Sequence, residues 1–111
     1  VSPGEEKLRA ALRITLAGLM AKIPTADLSM SRVGNREGGQ ADYLLQMVNK
    51  ALDEVDRWPV DKLSRWIGFL QGVLYEAGAL DIREERGRTR PYFHAAYRAM
   101  GIDVPESWEG K

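Results

Sequence analysis

Val60-Asp61-Lys62-Leu63-Ser64-Arg65-Trp66-Ile67-Gly68-Phe69-Leu70-Gln71-Gly72-Val73-Leu74-Tyr75-Glu76-Ala77 is the stretch that decides the fold. Leu63, Trp66/Ile67, Leu70, Val73/Leu74 and Ala77 recur every three or four positions, the spacing that gathers side chains on one side of an α-helix. Phe69 and Tyr75 carry the apolar surface round its sides. Pro59 precedes the run, Asp61 favours a helix start, and Gly78 is placed to end it. Gly68 and Gly72 interrupt the pattern four apart, each costing a helix roughly 1 kcal/mol relative to alanine. Such a pair predicts close approach of another backbone or of a ligand, with helix–helix packing as the first expectation.

Outward from this helix the same reading continues. Residues 40–57 repeat the stripe with Leu44, Met47/Val48, Ala51/Leu52 and Val55, although Asp53, Glu54 and Asp56 crowd a final turn where negative charge opposes the helix dipole. Residues 5–22 carry Leu8, Leu12, Leu16 and Leu19, supported by Ala11 and Ile23, and Pro24 blocks continuation. Between these two helices, Ser29, Ser31, Gly34, Asn35, Gly38 and Gly39 favour turns, and residues 25–39 are expected to be a flexible connection. Downstream, Asp81-Ile82-Arg83-Glu84 has the spacing of a capping box and opens a short helix towards Arg86. Gly87 and Pro91 are expected to interrupt it, with Thr89 capping a fresh helix that ends near Met100. Residues 102–111 are expected to be a C-terminal tail anchored by Trp108. No alternating run predicts a strand. The expected fold is all-α: a single domain over residues 1–111, built as a small helical bundle of three main helices plus a shorter C-terminal helix.

Sixteen basic and sixteen acidic side chains cancel over 111 residues, so no global attraction to nucleic acid or to an anionic membrane is expected. The absence of cysteine removes disulfides, thiolate catalysis and sulfur-ligated metal sites, and fits a cytoplasmic protein. No apolar run approaches the roughly eighteen residues needed to span a bilayer. Val1-Ser2-Pro3-Gly4 reads as a trimmed end or a cloning remnant, and no apolar segment follows that would make it a signal peptide.

The chemistry-bearing residues cluster late in the chain. Arg86, Arg90, His94 and Arg98 recur every four positions, predicting a cationic edge beside Phe93, Tyr97 and Met100. Arg88 projects from the expected bend, and Thr89 with the adjacent helix start adds hydroxyl and amide donors. Guanidinium forks suit phosphate and carboxylate groups, while Tyr92 or Tyr97 offers a ring for stacking. Arg65 and Gln71, with Trp66 between them, form a second candidate surface beside the glycines. The plainer reading is internal: Glu84 and Glu85 pair with these arginines and hold a helical joint. His94, the sole histidine, has no serine or cysteine nucleophile paired with it, so no catalytic residue is assigned. Asp53, Glu54, Asp56, Glu84 and Glu85 match no metal loop, and neither a metal nor a cofactor is expected. Asn35 and Arg36 among Gly34, Gly38 and Gly39 suit a recognition loop but follow no phosphate-loop fingerprint.

Arg65-Trp66-Ile67-Gly68-Phe69-Leu70-Gln71-Gly72 and Glu85-Arg86-Gly87-Arg88-Thr89-Arg90-Pro91-Tyr92-Phe93-His94 together resemble a pattern in small, uncharacterised helical proteins of tailed phages and prophages. The likeness covers approximately residues 61–97. It implies a non-enzymatic accessory or counter-defence role that redirects host machinery, and it implies no functional residue. The expected function is a non-enzymatic accessory or inhibitor protein that binds an acidic surface on a host or phage protein, or a small anionic ligand. A homodimer is expected from the broad face of the third helix. Two alternatives stand beside this. A nucleic-acid-binding regulator would use the helices flanking residues 78–81, although Glu84 and Glu85 would repel phosphate there. A small nucleotide-binding or magnesium-dependent nucleotide-hydrolysing protein would combine the arginines with the acidic residues.

Overall fold

The computed structural model describes residues 2–29 and 39–104. Within them the chain forms α1 (Pro3–Lys22), a 3-10 turn (Ile23–Thr25), α2 (Gly39–Glu54), α3 (Val60–Glu76) and α4 (Ile82–Ala99), with no strand among the described residues. The fold is all-helical, as the periodicity predicts. α1 starts two residues before the expected position 5. Ser2 Oγ accepts the Glu5 amide at 3.1 Å, and Pro3 occupies the first turn, where its missing amide hydrogen leaves no bond unmade.

α1 is the hub, packing most extensively on α4 and also on α2 and α3. The leucine stripes converge as read from the sequence. Leu12, Leu16, Leu19 and Ile23 meet Leu44, Val48, Ala51 and Val55 of the second segment and Leu63, Ile67, Leu70 and Leu74 of α3, all buried. Full burial of each leucine, isoleucine or valine among them is worth about 1.5–3 kcal/mol, so this shared seam is what holds α1, α2 and α3 together. Arg9 closes one end of it. Its Nη1 donates to the Val55 and Trp58 carbonyls at 2.8 and 2.7 Å, and so satisfies backbone acceptors at the turn between α2 and α3.

The last helix differs from expectation. α4 is neither short nor interrupted: at 18 residues it exceeds α3 (17) and α2 (16), and it runs through Gly87, Thr89 and Pro91. Asp81 caps it as the spacing predicts, accepting the Glu84 amide at 2.9 Å. Thr89 is no cap; its hydroxyl donates back to the Glu85 carbonyl at 2.9 Å inside the helix. Pro91 removes one backbone hydrogen bond. The turn before it is clamped from outside, with Arg88 bonded to α1 and Glu85 to α3, so local weakness does not end the helix. The stops at Gly78 (φ +74°) and Gly101 (φ +78°) are as expected, since both adopt the left-handed conformation that closes a helix.

The connection after α1 is partly tied down. The Asp27 amide donates to the Ala77 carbonyl at 3.1 Å, docking this segment on the end of α3, while Ala26 and Leu28 pack against the core. Its remainder, with Gly34, Asn35, Arg36 and Gly38, lies outside the described residues, as does the tail with Trp108. Val104, at the start of that tail, is buried. No helix among the described residues is long and apolar enough to cross a membrane.

Candidate docking site

The arginines of α4 separate into two populations. Arg88 turns inward. Its Nη1 donates to the Ile14 carbonyl at 3.0 Å and its Nη2 to the Thr15 carbonyl at 3.4 Å, both on α1. Its Nη2 and Nε also donate to Glu85 Oε1 at 2.6 and 3.2 Å. Glu85 is only 7 % exposed, and its other oxygen accepts Gln71 Nε2 of α3 at 3.0 Å. Gly18 makes room for this arrangement, because a Cβ there would collide with the Arg88 guanidinium. One buried carboxylate thus links α1, α3 and α4 through Arg88 and Gln71, two of the residues singled out for partner binding. Their donors are engaged inside the fold.

The expected cationic edge does not assemble. A four-residue step overshoots one turn of an α-helix by roughly 40°, so Arg86 and Arg98 are turned about 120° apart. Arg86 is exposed, Arg90 half-buried, His94 buried and Arg98 exposed. Arg90, His94 and Arg98 each make interactions of their own within the protein. The His94 ring centre lies 6.3 Å from that of Tyr97, which also tilts against Phe93. Tyr92 is exposed. Trp66 packs edge-on against Trp58 at 4.6 Å, so its ring is part of a hydrophobic corner over which Lys62 also lies. Arg65 is exposed and reaches Asp61 at 3.4 Å.

What the structure does bring together lies at the start of α4. A surface hollow of about 710 Å³ is lined by Tyr75, Asp81, Ile82, Arg83 and Arg86. Tyr75 is 53 % exposed and Ile82 40 %, so the hollow has an apolar wall open to water. Arg83 and Arg86 are three apart and share a face of α4. Neither enters an ion pair among the described residues. Asp81 is occupied with the Glu84 amide. Arg83 is the residue that four-residue spacing passes over; its three-residue relation to Arg86 was the available signal.

A second depression of about 650 Å³ runs along the outer side of α3, lined by Gly68, Phe69, Gly72, Val73, Tyr75, Glu76, Ala77 and Asp27. No atom outside the local helix backbone lies near a Cβ built at Gly68 or Gly72. The helix–helix packing expected at these glycines is therefore not made within the described residues. Two hydrogen bonds from Ser29, from its hydroxyl and then its amide, hold the Asp27 carboxyl below the usual carboxylate range. One end of the groove is accordingly anionic.

The acidic residues do not gather. Asp56 pairs with Arg13 at 2.9 Å, Glu54 with Arg57 at 2.6 Å, and Glu85 with Arg88. Among the described residues no cluster of three carboxylate or histidine groups could hold a metal ion. Comparison with known proteins finds no match to a family model, to a curated protein or to a solved structure.

Proposed function

We propose that this protein is a non-enzymatic binding module that seats an acidic segment of a partner protein in the hollow between Tyr75 and the first turns of α4. The observation that carries this reading is the pairing of two guanidinium groups, Arg83 and Arg86, with the exposed apolar wall of Tyr75 and Ile82. Arginine forks bind carboxylates with two parallel hydrogen bonds, and an adjoining aromatic contact excludes water and strengthens them. Charge then sets register and encounter rate, and apolar contact supplies much of the affinity. A nucleic acid is a poorer fit, because a polyphosphate needs a longer cationic track than two arginines three residues apart. The resemblance to small phage proteins supports a host protein as the partner.

Selection of a displayed random-peptide library against the protein tests this. Enriched peptides are expected to combine Asp or Glu with an aromatic or aliphatic residue. Arg83→Ala with Arg86→Ala should weaken a selected peptide by about tenfold or more, in the range of a lost arginine anchor, without lowering the urea midpoint. Enrichment of peptides without acidic residues, or binding indifferent to both substitutions, would overturn the assignment.

A further inference from the structure

We infer that the groove on the outer side of α3 receives a second copy of this chain, α3 against α3, antiparallel about a two-fold axis passing between residues 70 and 71. The apolar face that suggested a dimer in the sequence, with Leu63, Ile67, Leu70 and Leu74, is used up in the core. The opposite side is left open among the described residues, and its composition is self-complementary. Helical spacing puts Arg65, Phe69, Gly72 and Glu76 on one narrow stripe. The stripe carries a cation at one end and an anion at the other, so only an antiparallel copy pairs Arg65 with Glu76, and the symmetry makes that pair twice. A parallel copy would set like charges together.

Shape agrees with charge. The same axis sets Phe69 opposite Gly72 of the second copy. Phe69 is 44 % exposed beside the groove, and Gly72 leaves an unfilled notch one turn further on. Each ring would enter the other copy's notch, the isologous arrangement of two-fold dimers. The competing contact is weak: Arg65 meets Asp61 at 3.4 Å with side chains 72 % and 74 % exposed, so exchanging partners costs little. An interface of one helix on each side is small, and a dissociation constant on the order of micromolar is expected. This surface shares Tyr75 with the acidic-segment hollow but not Arg83 or Arg86, so different substitutions test the two.

Sedimentation of the full chain over a wide concentration range decides the matter. The unaltered protein should pass from monomer to dimer. Gly72→Leu fills the notch from open space, so it should leave the helical spectrum intact while raising the dissociation constant by about tenfold or more. Arg65→Glu and Glu76→Arg should each weaken the dimer, and the two together should restore it. A monomer at every concentration would overturn the inference. So would a dimer indifferent to Gly72→Leu, or one that the double exchange fails to rescue; either places self-association elsewhere and leaves the groove to another occupant.

Discussion

Replacing Arg88 by alanine is expected to lower stability by about 3 kcal/mol, read as a fall in the urea midpoint with an unchanged denaturant slope. The carbonyls of Ile14 and Thr15 lie within α1, where helical amides also bond to them, so losing the guanidinium there matters modestly. Glu85 decides the magnitude. At 7 % exposed it would keep a charge with only Gln71 as a side-chain partner, and a buried charge stripped of its counter-ion is among the costliest single changes. Exchanging both Glu85 and Arg88 for methionine should cost less than Arg88→Met alone, because no orphan charge remains. A loss below about 1 kcal/mol for Arg88→Ala would show that the network contributes little.

Gly18→Leu is the second large effect. Leucine is the better helix former by somewhat less than 1 kcal/mol, so an exposed glycine replaced in this way would stabilise the helix. Here a net loss of about 2 kcal/mol is expected, because the new side chain takes the place of the Arg88 guanidinium and expels it from its hydrogen bonds. In the Arg88→Ala background the same substitution should be neutral or stabilising, since leucine then occupies vacated space. That difference is a coupling of about 2 kcal/mol in a double-mutant cycle. Equal effects in both backgrounds would separate Gly18 from Arg88 and remove the steric explanation.

These two residues also show where sequence reading runs out. α1, α2 and α3 are legible because each buries a one-sided leucine, isoleucine and valine stripe, and periodicity reports burial directly. α4 buries Glu85, Thr89, His94 and Ala96 instead. Polar residues facing inward look like surface to a hydrophobic pattern, so the helix reads as interrupted at Gly87, Thr89 and Pro91, and its charges read as facing water. The inward turn of Arg88 depends on a different helix, through the Ile14 and Thr15 carbonyls that receive it and the space left at Gly18. The same limit hides Arg83: its place in a hollow with Tyr75 and Ile82 is set by the turn between α3 and α4. Conversely, Gly68 and Gly72 are conspicuous in sequence and lie away from the Leu63, Ile67 and Leu70 stripe, yet only the packing shows that no described helix covers them.

The division between arginines engaged inside the fold and arginines open to solvent is tested most directly by modifying native arginine side chains with a dicarbonyl reagent and mapping the products by mass spectrometry. Arg83 and Arg86 are expected to react as readily as arginines in the urea-unfolded chain, with Arg88, whose side chain is 36 % exposed but hydrogen-bonded to α1 and Glu85, reacting markedly more slowly until the protein unfolds. Modification of Arg88 in the native protein as fast as Arg86, or protection of Arg83 and Arg86 alongside it, would contradict that division.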